Sequence, residues 1–208
     1  MSVLSELEEL YAEIRNCQRC ILSQARTQTV PGDGPPTASI MFIGEAPGYH
    51  EDRQGKPFVG AAGQFLNELL AGIGLRREDV YICNVIKCRP PGNRDPLPEE
   101  IEACRPYLDR QIALIKPKLI VTLGRYSMAR YFPGQSISRI HGQKKRIGNT
   151  WYVPLFHPAA ALHQPRYRAM IEEDFRKLGN LLAELEKQEC PEDTEISSEQ
   201  RAEQLSLF

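Results

Sequence analysis

Residues 39–48 read Ser39-Ile40-Met41-Phe42-Ile43-Gly44-Glu45-Ala46-Pro47-Gly48, a short apolar run that stops abruptly at a glycine, an acid and a turn. A run this short with apolar residues on both alternating faces reads as a strand buried on both sides, the habit of parallel sheets covered by helices. Three similar runs follow, at residues 80–86, 118–123 and 151–156. Helical patterns separate them: residues 61–71, residues 98–115, a short one over 124–131, and a last one over 167–186. Pro98 opens the second of these with Glu99 and Glu100 at its positive end. Upstream, Leu4, Leu7, Leu10 and Ile14 mark a short amphipathic helix. Residues 30–37 and 87–98 are Gly/Pro-rich loops, a polar loop follows Gly48, and residues 133–149 read as an extended basic loop. Strand, loop and helix repeated four times predict an α/β fold: a three-layer α/β/α sandwich around a central four-stranded parallel sheet.

Chemistry in such a sheet gathers beyond the carboxyl ends of the strands. Those ends carry Gly44-Glu45, Asn84, Gly124 and His157. Glu45, Asn84 and His157 are therefore the first candidates for a site.

Composition sets limits. The chain has 208 residues, 41% apolar and 25% charged, enough to bury a core without disulfides. No apolar run approaches the roughly 20 residues of a membrane span, and the acidic start lacks the order of a secretion signal. A soluble cytoplasmic protein is expected. The net charge of -1 is uneven, because residues 184–208 hold eight acids and two bases. The rest is mildly basic, which allows a polyanionic partner without requiring one. Lys87, Arg89, Arg94, Lys144, Lys145 and Arg146 are the candidate phosphate contacts, the last three flanked by Gly142 and Gly148. No Gly-rich loop ends in Gly-Lys-Ser/Thr, so a P-loop enzyme is disfavoured.

Six cysteines stand at 17, 20, 83, 88, 104 and 190. Cys17 and Cys20 have chelating spacing, and the Pro98 helix can return Cys104 toward Cys88. Four thiolates from two distant segments would staple the first helix to the domain. They suit zinc or an iron–sulfur cluster, and spacing alone does not choose. Cys83 reads as a core residue, and Cys190 as a free thiol in a polar tail.

Taken together, Gly44-Glu45-Ala46-Pro47-Gly48, Glu51-Asp52, Gly55-Lys56-Pro57-Phe58-Val59-Gly60, the stretch NVIKCRPPGN from Asn84 to Asn93, and His157-Pro158-Ala159-Ala160-Ala161-Leu162 resemble the type-four, iron–sulfur uracil-DNA glycosylases of bacteria and archaea. The resemblance spans roughly residues 4–185. It implies a monofunctional glycosylase that releases uracil from DNA, leaves an abasic site, and works as a monomer near the bacterial nucleoid. By the same resemblance Cys17, Cys20, Cys88 and Cys104 would hold one [4Fe–4S] cluster, structural in role. Phe58 would stack on the extruded uracil, Asn84 would read its Watson–Crick edge, and Gly44, Glu45 and Ala46 would line the base with backbone. His157 would sit near uracil O2, and Leu162 would enter the duplex. The chain has Ala46 where the best-known uracil-DNA glycosylases carry Asp, and Gly48 where they carry Tyr. Glu45 is then the carboxylate candidate for positioning water, and the missing Tyr leaves room for a wider range of bases.

Residues 1–187 make the catalytic domain in this reading and residues 188–208 an acidic, disordered tail. The tail ends in Gln204-Leu205-Ser206-Leu207-Phe208, which resembles the motif by which bacterial repair proteins bind the sliding clamp. Two competing readings are a lesion-binding protein without chemistry and a small-molecule hydrolase using Glu45 and His157.

Overall fold

In β1 (Ile40–Gly44), Met41 and Ile43 pack into one apolar cluster and Ile40 and Phe42 into another. Side chains that alternate along a strand must serve two faces, so this strand needs cover on both. The structure, a computed structural model, describes residues 2–189. Cys190 and the 204–208 motif lie outside them. Beside β1 run β2 (Tyr81–Asn84), β3 (Leu119–Leu123) and β5 (Thr150–Leu155), all parallel, and β4 (Lys145–Ile147) joins the far edge in the order β2-β1-β3-β5-β4.

On one face lie α1 (Val3–Arg15) and α4 (Pro98–Ile115), whose Leu7, Leu10, Ile14 and Leu108 pack with Met41, Ile43 and Ile120. The short helices α5 (Arg125–Ala129) and α6 (Ile137–Ile140) add Met128 and Ile140 to the same cluster. On the other face α3 (Ala61–Gly72) and α8 (Arg166–Glu189) bring Phe65, Leu66, Phe175 and Leu178 against Phe42, Ile82 and Val121. The three layers agree with the sequence. Among the described residues no helix is long and apolar enough to cross a membrane.

The sheet has five strands where the sequence predicts four. Residues 145–147 are all exposed and show no apolar alternation, so nothing in them alone calls for a strand. The open edge of β5 imposes one, pairing Lys145 with Tyr152, Arg146 with Trp151 and Ile147 with Thr150 in antiparallel register. Basic side chains on such an edge discourage a second chain from adding to it. A further helix, α2 (Tyr49–Gln54), stands in the predicted polar loop. Its buried Asp52 accepts the N–H groups of Thr27 and Gln28, pinning the helix to the segment after the first two cysteines.

From β1 the chain passes to β2 on one side, then crosses to β3 on the other. Loops leaving neighbouring strands in opposite directions open a crevice at their carboxyl ends. That crevice holds the site.

Candidate active site

The cleft there, about 390 Å³, is lined by Glu45, Gly48, Glu51, Phe58, Asn84 and His157, with residues 90–96 and α7 (Ala159–His163) along its rim. The volume lies within the roughly 300–1,000 Å³ of small-ligand pockets. Phe58 follows α2, Asn84 ends β2 and His157 follows β5; Asn84 and Phe58 close on Gly44, and His157 stacks on Phe58. A Cβ at Gly44 would overlap both the Asn84 amide and the Phe58 ring, so glycine is required there.

Asn84 ends β2 with 1% of its surface exposed, and its Oδ1 has no hydrogen-bond partner. A buried, unpaired amide oxygen costs about 1–3 kcal/mol. Such an atom in a cleft wall is a group awaiting a donor.

Phe58 holds a left-handed backbone, with φ of 53°. That conformation strains a non-glycine residue by roughly 1–3 kcal/mol and persists only where its surroundings enforce it. Here they do. Arg77 donates to the carbonyls of Phe58, at 3.0 Å, and Pro57, while Glu51 Oε1 accepts the N–H groups of Val59 and Gly60, each at 2.8 Å. Gly63 admits the Phe58 carbonyl where any side chain would collide with it. The Phe58 ring stacks on His157 with centroids 5.3 Å apart.

His157 follows β5. Its Nδ1 accepts the Ala159 N–H at 3.1 Å, which leaves the ring proton on Nε2. Burial lowers the His157 pKa to about 4, against a weaker opposing pull from Glu51. The ring is therefore a neutral donor near pH 7. Glu45, after β1, accepts the Tyr126 N–H at the start of α5, and burial pushes its carboxyl up, partly offset by that bond and by Arg125.

Residues 31–180 match the family model of the uracil DNA glycosylase superfamily. The chain is 49% identical over 188 residues to a type-4 uracil-DNA glycosylase of Sulfurisphaera tokodaii, covering 86% of each protein. It is 47% identical to the type-4 enzyme of Archaeoglobus fulgidus (86% of this chain, 94% of that one) and 43% identical to that of Thermotoga maritima (85% and 95%). The chain belongs to the uracil DNA glycosylase superfamily, in its type-4 branch.

In this type-4 chain Cys17, Cys20, Cys88 and Cys104 line one small cavity between α1, the turn after it and α4. Backbone N–H groups of Arg19 and Lys87 point to the sulfurs of Cys17 and Cys104, and Arg26 Nη1 donates to Cys88 Sγ at 3.2 Å. Arg26 also holds the carbonyls of Arg15 and Cys17, so one guanidinium ties both cysteine segments. Burial raises the Cys88 thiol and pushes Cys104 up to about 12. Neither ionises near neutral pH without a cationic centre to hold the thiolate. Among the described residues no three His, Cys, Asp or Glu side chains are disposed to hold a metal ion.

The structure corrects the candidate phosphate contacts. Lys87 is only 1% exposed, and its ammonium donates inward to the Asn84 carbonyl at 2.8 Å and Gln111 Oε1 at 2.6 Å. It braces the end of β2 and cannot reach a phosphate outside. Arg94 lines the cleft but is held bidentate by the fully buried Glu100, at 2.6 and 2.9 Å. Lys144, Lys145 and Arg146 lie beside the first half of β5, with Lys144 paired to Glu184. Trp151, the partner of Arg146, is six residues from His157, about 20 Å along an extended chain. This run does not flank the cleft. Leu162, by contrast, stands on α7 with 50% of its surface exposed, beside the cleft-lining Ala160 and His163.

Sequence reasoning assigned no role to Glu51, Gly63 or Arg77. Glu51 and the loop it fixes sit within the quoted motifs, which is the signal that points to it; Arg77 has none.

Proposed function

We propose that the protein is a monofunctional glycosylase that hydrolyses the bond between uracil and deoxyribose in DNA, frees the base and leaves an abasic site. The observation that carries this reading is the buried, unpartnered Asn84 Oδ1 in a cleft shared with Phe58 and a neutral His157. Uracil inside a duplex is out of reach, so it must be extruded at a cost of a few kcal/mol, less from a mismatch. Phe58 then takes the base face, worth roughly 1–3 kcal/mol for any base. Identity comes from Asn84, whose Oδ1 accepts uracil N3–H while its amide donates to O4. As the glycosidic bond lengthens, negative charge grows on the uracil oxygens, and the His157 Nε2–H and the N–H groups after Gly44 stabilise it. Glu45 orients the attacking water or steadies the sugar cation. Leu162 fills the space the base leaves. The test uses matched oligonucleotides carrying U, T, hypoxanthine or C, probed for abasic sites. Cleavage at U supports the reading; tight binding with no free uracil overturns it.

Cys17, Cys20, Cys88 and Cys104 would hold a [4Fe–4S] cluster, whose contribution is a cross-link between α1 and α4. Four sulfurs around a cavity suit a cluster in which each thiolate takes its own iron. Replacing Cys88 or Cys104 with Ala should bleach the visible absorbance of anaerobically purified protein and lower its thermal midpoint. Iron and sulfide analysis decides the identity, and zinc in place of iron overturns it.

The C-terminal Gln204-Leu205-Ser206-Leu207-Phe208 would tether the enzyme, acting as a monomer at the nucleoid of a bacterial cytoplasm, to the sliding clamp. A tether raises local concentration without fixing orientation. Titrating clamp with the full chain and with a chain ending at residue 203 should show binding only for the former; equal affinity removes the clamp from the account.

A further inference from the structure

Several cations on this surface are matched by acids: Arg76 with Asp79, Arg110 with Glu13, Arg130 with Asp109, Arg168 with Glu68 and Glu172. On the cleft rim two arginines are held instead by one aromatic ring. Tyr49 opens α2 immediately after the cleft-lining Gly48, and 48% of its surface is exposed. Arg53, one turn on, places its guanidinium 5.7 Å from the Tyr49 ring centroid and donates to the Tyr49 hydroxyl at 3.4 Å. Arg89, from the loop after β2, places its own 5.1 Å from the same centroid, steadied by a 2.7 Å bond from its Nε to Asn93. Among the described residues neither arginine has a carboxylate partner.

The arrangement joins the two walls of the cleft, since Gly48 and Glu51 line it from the α2 side and Pro90 and Asn93 from the other. An aromatic face holds a guanidinium without occupying its N–H fork, whereas a carboxylate would fill that fork. Two planar forks are thus held on one ring at the mouth, with donors left over for a bidentate anion. We infer that Arg53 and Arg89, spaced by Tyr49, grip backbone phosphates of the DNA strand next to the extruded nucleotide. The inference rests on the glycosylase reading and relocates the phosphate grip from the β4 run to the rim of the cleft.

Binding of the full chain to a labelled duplex bearing an abasic-site analogue, measured by anisotropy across a salt series, tests it. Each phosphate contact contributes about 0.9 to the slope of log K against log salt. The double variant Arg53→Gln/Arg89→Gln should lower that slope by about two. Tyr49→Ala should weaken binding although it removes no charge, and Tyr49→Phe, which keeps the ring, should bind like the parent. The triple variant Lys144→Gln/Lys145→Gln/Arg146→Gln should keep the parent slope. An unchanged slope in the arginine double variant, or an equal drop in the triple variant, overturns the inference. Uracil release by the parent protein separates the two failures: no release sinks the glycosylase reading, while normal release with an unchanged double-variant slope sinks only the rim grip. Tyr49 and Arg53 are exposed and Arg89 is half-buried, and a thermal melt matching the parent confirms that each variant is folded.

Discussion

Replacing His157 with Ala slows single-turnover uracil release by roughly 10²–10³-fold, the usual loss when one donor to a developing oxyanion is removed. The geometry decides which proton does the work. Ala159 N–H occupies Nδ1, so Nε2 carries the only ring hydrogen, and burial keeps the ring uncharged down to about pH 4. The donor is present in its working form across the neutral range, and no acid limb near pH 6.5 should be seen. A limb belonging to Glu45, whose carboxyl burial raises above its ordinary value, should disappear in Glu45→Gln. Stability carries the same signature. A histidine with pKa 6.5 unfolded and about 4 folded lets the unfolded chain bind the extra proton between those values, so stability falls as pH drops through that window. His157→Ala should flatten that part of the curve. Rates quenched between pH 5 and 8, with cluster absorbance and a thermal melt as controls on folding, check the kinetic claim. A rate equal to the parent's would remove His157 from the chemistry.

The parts of this molecule that were legible in the sequence are those in which a local pattern and the tertiary structure ask for the same thing. β1 is buried on both faces, so its apolar run and its place in the sheet coincide, and its glycine-acid ending marks the crevice. The 98–115 helix is announced by Pro98 and the acids behind it, and Glu100 does cap it by accepting the Leu97 N–H. β4 was not legible because its strand character comes from the free edge of β5. α2 is six residues long, too short for periodicity to reveal. The charged residues show the limit most plainly. Lys87 and Arg89 are separated by one cysteine in a basic stretch, yet Lys87 turns inward to Gln111 while Arg89 turns outward to Tyr49. Composition places charge in a segment; only packing says where it points. The strain at Phe58 was hidden for the same reason, since Arg77, Glu51 and Gly63 enforce it from three different elements.

Asn84→Asp should collapse the preference for uracil over cytosine. In the parent, Oδ1 lacks a partner in the cleft wall; on the proposed reading it would take the uracil N3–H, while the amide hydrogens would meet O4. Cytosine presents an amino donor in place of O4 and a bare N3, so the same amide meets a like group at both positions. A site built on such bonds rejects the wrong base strongly. The aspartate keeps the acceptor for N3–H but turns an oxygen toward O4. That mismatch is worth about 1–3 kcal/mol or more, at least a ten- to hundredfold fall in kcat/KM for uracil. The same oxygen suits the cytosine amino group, so activity on cytosine rises as activity on uracil falls, and the ratio shifts by roughly 10²–10³. Asn84→Leu separates reading from mere damage, because it removes donor and acceptor together and should depress uracil release with no gain on cytosine. A competition assay on oligonucleotides carrying one U and one C, followed by abasic-site cleavage, reads both variants. If Asn84→Asp kept the parent's preference, the hydrogen-bond reading at the end of β2 would fail, and selection would have to lie in the shape of the cleft around Phe58.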